Sequence, residues 1–337
     1  MPDLRIAVIG AGRIGLVHAA NIAHRVRGAA LVAVTTANPD RAAAVRQIFG
    51  PELAIYPNLA GLLAQETLDA VVIASSTAAH RANIEACAAA GLHIFCEKPL
   101  ALSLPDCDAA ILASEQAGIK LMVGHVRRFD PAAIAAKQRI AAGDIGRPIV
   151  YRAIAGDQDP PPPSFADPTV SGGLITDAGY HDLYLARWLM EDEIVRVYAE
   201  GGALVAPEIG AVGDVDNAIV DFRFARGGLG TLYVSRTTRY GHDVRVEVIG
   251  SEGAMHIGQL RRTPVNLLTR GGVSHDVIPD TAARYAEAFV AELQAFVDCV
   301  RHDTPPPVSG QDSRTVVAIG LAARKSHQQG EIVYVLQ

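Results

Sequence analysis

The sequence predicts an α/β domain built on a doubly wound parallel sheet, followed by an α+β domain with an open, mostly antiparallel sheet. Three observations carry this. The first third of the chain alternates short apolar runs with stretches of helical spacing. The first apolar run ends in a Gly-x-Gly-x-x-Gly turn, Gly10 to Gly15. After about residue 123 the runs alternate apolar with polar residues, which is the pattern of a sheet with one covered face. The 337 residues exceed one average domain and suit two, expected at 1–123 and 124–337.

Leu4–Ile9 is an apolar strand that runs into the glycine turn, and Ile14–His24 has helical spacing. Strands follow at Ala30–Val34, around Ile55, and at Asp69–Ala74, His93–Cys96 and Leu121–Val123. Between them lie helices at Asp40–Phe49, Leu59–Gln65, Ala79–Ala90 and Ser103–Ala117. Strands separated by helices imply right-handed crossovers and a parallel sheet. Beyond residue 123 a helix is expected at Ala132–Ala142, a strand at Ile149–Ala155 and a proline-rich loop at Asp157–Pro163. One long helix is expected over Gly172–Met190. The alternating runs are Ala218–Phe224, Gly230–Arg236, Val244–Gly250, Met255–Ile257 and Val265–Leu268. Two helices, about Arg284–Arg301 and Ser309–Gln328, precede a last strand at Ile332–Leu336.

Composition narrows the functional classes. Half the residues are hydrophobic and a fifth charged, an ordinary globular balance, and the net charge is −6. No basic block points to nucleic acid. No apolar run is long enough for a membrane span, and the N-terminus lacks a secretory pattern. Cys87, Cys96, Cys107 and Cys299 are irregularly spaced, which suits reduced thiols in the cytoplasm rather than a disulfide framework. No cluster has metal-ligand spacing, so no metal is expected.

The glycine turn has the strand–turn–helix context of a dinucleotide site. Gly10 permits the tight turn, Gly12 lets phosphate approach the backbone, and Gly15 allows close helix–strand packing. Arg13 and Ile14 lie inside the turn, where the helix N-terminus offers N–H groups to a pyrophosphate. The acid that commonly holds the adenine ribose 2′-hydroxyl is missing: Thr36 stands about there, and Arg41 follows. The cofactor expected is NAD(P), with a lean to NADP, because a hydroxyl and an arginine accept a 2′-phosphate that a carboxylate would repel.

Glu97-Lys98-Pro99-Leu100 follows the strand His93–Cys96 directly. Ligands of such sheets bind at the carboxyl ends of strands, so Lys98 is expected at the nicotinamide end. Pro99 is expected to fix the turn, and its peptide bond is a candidate for the cis form. Asp177 and His181 are four apart and would share one face of a helix. Alcohol oxidation needs a base for the hydroxyl proton, a role that suits histidine at neutral pH, and a neighbouring carboxylate could orient its ring.

With these motifs together, the chain resembles the glucose–fructose oxidoreductase, inositol dehydrogenase and rhizopine-catabolism family of Rossmann proteins. The marks are Gly10–Gly15, Glu97–Leu100, the run from Gly124 to Asp130, and Asp177 with His181. Within the family it is most similar to the inositol 2-dehydrogenase branch. That likeness rests on the stretch from Arg127 to Asp130, the Asp157–Pro163 loop, Ser171-Gly172-Gly173, Asp214 to Ala218, Ser235-Arg236 and Tyr240 to Arg245. The resemblance implies a catalytic trio of Lys98, Asp177 and His181, with His181 as acid/base. Lys98 would stabilise charge on the reacting oxygen, and Asp177 would bind a neighbouring hydroxyl. It implies that Ser75, Ser76, Thr77 and His80 border the nicotinamide and its ribose, with Glu97 and Lys98 beside the cofactor. Arg127, Asp157, Tyr240 and His242 would join the trio around a substrate rich in hydroxyls.

Some positions depart from the family pattern: Thr36 for the acid, no proline after Ser76-Thr77, Ala178-Gly179-Tyr180 for a bulkier triplet, and His242 for an aromatic tyrosine. The expected activity is hydride transfer between nicotinamide and a secondary alcohol of a cyclic polyol or sugar. Two alternatives stand beside it. One is a keto-sugar reductase or a sugar oxidoreductase with tightly held NADP, and the other a non-catalytic dinucleotide-binding regulator. The open sheet predicts a homodimer or homotetramer through its apolar face.

Overall fold

The computed structural model describes residues 2–336. The chain divides into two compact units. The first runs to Phe129 and adds Ala286–Arg314; the second covers Asp130–Tyr285 and resumes at Thr315. The expected division at 123/124 therefore falls at 129/130, and the segment 286–314 belongs with the first unit. The reason is the apolar stripe of the helix Ala286–Arg301, with Phe289, Leu293, Phe296 and Val297 buried. Its Phe296 ring meets Phe95 of the first unit's sheet at 5.9 Å. Local periodicity shows that such a stripe needs cover, and not which core supplies it.

In the first unit, six strands form one sheet: β1 (Leu4–Ile9), β2 (Ala29–Thr35), β3 (Ala54–Tyr56), β4 (Ala70–Ile73), β5 (His93–Glu97) and β6 (Leu121–Gly124). The order is β3-β2-β1-β4-β5-β6, and every pair is parallel. Helices α1 (Arg13–His24), α2 (Pro39–Phe49), α3 (Leu59–Gln65), α4 (His80–Ala89) and α5 (Leu104–Gln116) connect them. Asn38, Asn58 and Ser103 start α2, α3 and α5 by accepting a backbone N–H, as the sequence chemistry of helix starts requires. Strand order reverses between β1 and β4, so the loops leaving those two strands flank the crevice where such sheets bind ligands.

In the second unit, the strands are β7 (Pro148–Gly156), β8 (Ile194–Gly202), β9 (Asn217–Phe224), β10 (Leu229–Ser235), β11 (Asp243–Gly250), β12 (Ala254–Ile257), β13 (Leu267–Thr269), β14 (Gly272–Ser274) and β15 (Val333–Tyr334). Seven form a sheet in the order β12-β11-β7-β10-β9-β8-β15, and β13 and β14 form a separate two-stranded sheet. All pairs are antiparallel except β10 with β7. Along β9 buried residues alternate with exposed Ile219, Asp221 and Arg223, which leaves one face of the sheet open. Strand β8 lies outside the sequence expectations.

Its helices include α6 (Pro131–Ala141), α7 (Pro163–Ala166), α8 (Pro168–Ser171), α9 (Gly173–Asp177) and α10 (Tyr180–Met190). The single helix expected over Gly172–Met190 is thus broken. Ala178 and Gly179 both donate to the Leu174 carbonyl, which ends α9 and restarts the chain as α10. Gly179 is required there, because a Cβ would stand 2.5 Å from the Ile175 carbonyl oxygen. Asp177 closes α9 and His181 is the second residue of α10, so the two sit on successive short helices rather than on one continuous helix.

Candidate active site

The glycine turn follows β1. Gly10 has φ +104°, and a Cβ on it would lie 2.7 Å from the Ala74 carbonyl oxygen at the end of β4. A Cβ on Gly15 would overlap the Gly10 carbonyl, so α1 starts hard against the turn. At Gly12 a Cβ would meet nothing within 4 Å, and no side chain caps α1 there. An open cradle over an uncapped helix start fits a pyrophosphate. The Thr35 hydroxyl accepts the Gly10 N–H at 3.2 Å. Arg41 donates to the Ala11 carbonyl at 3.1 Å, and the Thr36 hydroxyl accepts the Asn38 N–H at 3.2 Å. Arg13 and Arg41 are exposed, and Ile14 and Thr36 half-buried.

The loop after β4 carries Ser75, Ser76 and Thr77. The Asn83 amide donates to the Ser75 hydroxyl at 3.1 Å. His80 is buried, with its ring nitrogens 3.0 Å from the Pro99 carbonyl and 3.3 Å from that of Ser75. Burial pushes its pKa down; a neutral ring donates to one of these two carbonyls, and the shorter contact, to Pro99, ties the start of α4 to the turn after β5. That turn contains a cis Lys98–Pro99 peptide bond. Lys98 is half-buried at the carboxyl end of β5. The Glu97 carboxylate accepts the Lys98 N–H at 3.2 Å and meets His18 Nε2, from α1, at 2.6 Å. Glu292 stands behind them. One ligand-type atom from each of His18, Glu97 and Glu292 lies within 4.8 Å of the others. The 2.6 Å contact has hydrogen-bond length. Burial, and then the Glu97 charge, push the Glu292 carboxyl well above the usual range, with only the His125 backbone amide opposing. The buried His125 imidazole is held well below its ordinary value by burial first and then by the charges of Arg127 and Lys98. Arg127 is itself buried.

In the second unit, Asp177 is half-buried and His181 buried, on the short helices just described. Arg236, one residue past β10, donates to Asp177 Oδ2 at 2.9 Å and lies 3.5 Å from Asp214 Oδ2. Asp214 accepts the Leu174 N–H at 2.9 Å. Burial pushes the Asp214 carboxyl up, against the Leu174 and Val215 amides and the charges of Arg236 and Arg324. Asp157 lies 3.0 Å from His242 Nδ1, and the buried Nε2 of that ring has no hydrogen-bond partner among the described residues. Tyr240 is exposed and donates to Asp243 at 3.1 Å.

The structure thus groups Gly10, Gly12, Gly15, Thr36 and Arg41 around one turn, and joins Ser75 to Lys98 through His80 and Pro99. In the second unit it joins Asp157 to His242 but gives Asp177 an arginine partner. Sequence reasoning did not single out Arg236, Asp214, His18 or Glu292 as site residues. Asp214 and Arg236 lay inside stretches that carried the family likeness, and no spacing rule connects positions so far apart in the chain.

Residues 4–125 match a family model described as an oxidoreductase family with an NAD-binding Rossmann fold. Residues 133–256 match the GFO/IDH/MocA C-terminal domain. The chain is 41% identical to scyllo-inositol 2-dehydrogenase (NAD(+)) of Bacillus subtilis, over 97% of this chain and 95% of that one. It is 38% identical to myo-inositol 2-dehydrogenase of Thermotoga maritima, over 97% of each. The crystal structure of scyllo-inositol dehydrogenase from Lactobacillus casei with bound NAD(H) and scyllo-inositol is similar with a TM-score of 0.93, at 28% identity, over 99% of both chains.

Proposed function

The chain belongs to the GFO/IDH/MocA oxidoreductase family, and from that premise we propose that it is a dehydrogenase of cyclic polyols of the inositol type. The observation that carries the reading is one unit's pairing of an open glycine cradle after β1 with a half-buried lysine after β5. When bound, the nicotinamide exchanges a hydride with the carbon that bears the reacting hydroxyl. His181 takes the hydroxyl proton and returns it in the reverse direction. Lys98 hydrogen-bonds the same oxygen and stabilises its developing charge. Asp177 accepts a hydrogen bond from a neighbouring hydroxyl. Arg127, Asp157, Tyr240 and His242 add the further partners that a ligand with a hydroxyl on every carbon requires.

Gly10, Gly12, Arg13, Ile14 and Gly15 hold the pyrophosphate; Ser75, Ser76, Thr77, His80 and Glu97 border the nicotinamide and its ribose. The lean to NADP rests on Thr36 and Arg41, whereas the Bacillus subtilis relative is named for NAD(+). Thr36→Asp tests it: the ratio of NAD to NADP turnover rises if Thr36 reads the 2′ group, and an unchanged ratio removes Thr36 from that role. Among the described residues no helix is long and apolar enough to cross a membrane. Four buried free thiols support a reducing, cytoplasmic location. Exposed Ile219 and Leu229, on neighbouring strands β9 and β10, support a homodimer or homotetramer through the second unit's sheet. A monomeric mass in light scattering would end that part of the proposal.

The deciding experiment follows reduced-cofactor absorbance with NAD and NADP against myo-inositol, scyllo-inositol and common aldoses. Turnover with an inositol is expected, and no turnover with any polyol or sugar would refute the reading. Lys98→Ala and His181→Ala should each lower kcat by about a hundredfold or more with cofactor binding retained.

A further inference from the structure

Arg236 has a side chain only 2% exposed, and its guanidinium reaches carboxylates from two different segments. One is Asp177, the last residue of α9; the other is Asp214, from the loop before β9. Asp214 in turn accepts the N–H of Leu174, near the start of α9, with both oxygens at 3.1 and 2.9 Å. The links close into a ring: Arg236 to Asp177, along α9 to Leu174, to Asp214, and back to Arg236. Gly173 makes the ring fit. It has φ +80°, and a Cβ on it would lie 2.6 Å from Asp214 Oδ1. Arg236 is itself anchored by its own N–H on the Asp216 carbonyl at 2.9 Å, and the Phe165 ring of α7 lies 5.9 Å from the guanidinium carbon.

We propose that Arg236 is a positioning residue that aims the Asp177 carboxylate and keeps it ionised by sharing a permanent positive charge between Asp177 and Asp214. The proposal rests on the reading of Asp177 as the acceptor for a substrate hydroxyl. A guanidinium does not lose its proton in a protein, so the ring keeps its cation at every working pH. A charge-assisted hydrogen bond at 2.9 Å favours the ionised carboxylate. Asp214 also feels the charge of Arg324. With Arg236 in place, Asp177 is already an acceptor when the substrate hydroxyl arrives. Without it, two partly buried carboxylates lose the cation they share, and protonation of Asp177 competes with substrate binding.

The test is the pH profile of kcat/KM for Arg236→Gln and Arg236→Lys, with the polyol that gives the best turnover. In the unaltered protein the acid limb is expected to follow one proton, that of His181. In Arg236→Gln it should steepen to two protons, with the polyol KM raised about tenfold or more and the cofactor KM unchanged. Arg236→Lys should return the limb toward one proton and recover less of the KM, because a lysine keeps the charge but not the fork. If Arg236→Gln does not fold, Arg236→Gln with Asp214→Asn removes one negative charge, and the raised polyol KM should persist. A one-proton limb and an unchanged polyol KM in the folded variant would overturn the proposal. Asp177→Asn separates the two failures. If Asp177→Asn is fully active, the role given to Asp177 falls; if it is impaired while the Arg236 variants are normal, only the role of Arg236 falls.

Discussion

Each unit sets two carboxylates, partly or fully buried, beside one basic side chain, and the two sites differ in which side chain that is. In the first unit the base is the His18 imidazole, with Glu97 at 2.6 Å and Glu292 behind. In the second it is the Arg236 guanidinium, between Asp177 and Asp214. An imidazole at most balances one carboxylate, and burial together with Glu97 pushes Glu292 well above its usual range. The first site therefore favours the protonated form of Glu292. The second answers burial with a fixed cation, two backbone amides and the more distant charge of Arg324. The lesson is that a buried acid is held as a charge where permanent cations and amides converge on it, and is pushed toward the neutral acid where burial and a second carboxylate outweigh what opposes them. Asp216 marks a third case. It is fully buried and accepts the N–H groups of Leu204, Val205 and Ala206 at 2.8, 2.8 and 2.6 Å. Burial alone would push its carboxyl up, but the amides and Asn217 outweigh it and hold the carboxyl below the usual value.

The largest break in this contrast should come from His18→Leu. It leaves Glu97 and Glu292 facing each other without a base, and unfolding in urea should show a loss of about 3–5 kcal/mol. A loss below about 1 kcal/mol would mean that the imidazole does not bind the site together. Asp216→Ala comes next. It strands three backbone donors and should cost about 2–3 kcal/mol at neutral pH. Part of the Asp216 contribution depends on pH. With a depressed folded pKa, it is present above the unfolded carboxyl value and disappears as pH falls through the folded one. The gap between the two proteins should therefore narrow in acid, and a gap that widens there contradicts the amide account.

Glu292→Gln comes last because its effect vanishes in acid, and it has the opposite sign. A raised folded pKa means that the stability Glu292 contributes is full below its unfolded value near 4.5 and is lost as pH rises through the folded value. Gln cannot ionise and should match the protonated acid. The variant should equal the unaltered protein in acid and gain on it with rising pH, by at most about 1.4 kcal/mol per pH unit. Parallel melting curves across the pH range would show that Glu292 carries no buried proton.

Much of the first unit was legible locally. The run Leu4–Ile9, the glycines at 10, 12 and 15 and the Asn and Ser helix caps act over a few residues, and the observed strands and helices lie within a residue or two of expectation. The break at Gly179 was harder to read, because Ala178, Gly179 and Tyr180 hold no proline and the helical period runs through them. It becomes visible only when the Ile175 carbonyl occupies the space a Cβ would need. Strand β8 pairs with β9 and β15, and its own pattern is too uneven to announce a sheet position.

By itself the sequence determined the parallel sheet, the dinucleotide turn, the Lys-Pro turn after β5 and the presence of Asp177 and His181. Each of these depends on short-range periodicity, backbone freedom or side-chain chemistry. The tertiary structure decided which unit the helix Ala286–Arg301 covers, and that His18 and Glu292 stand behind Glu97. It also decided that Asp177 faces an arginine 59 residues away. Those outcomes depend on which buried charge meets which, a choice made when distant segments pack and lose water together, and no local pattern encodes it.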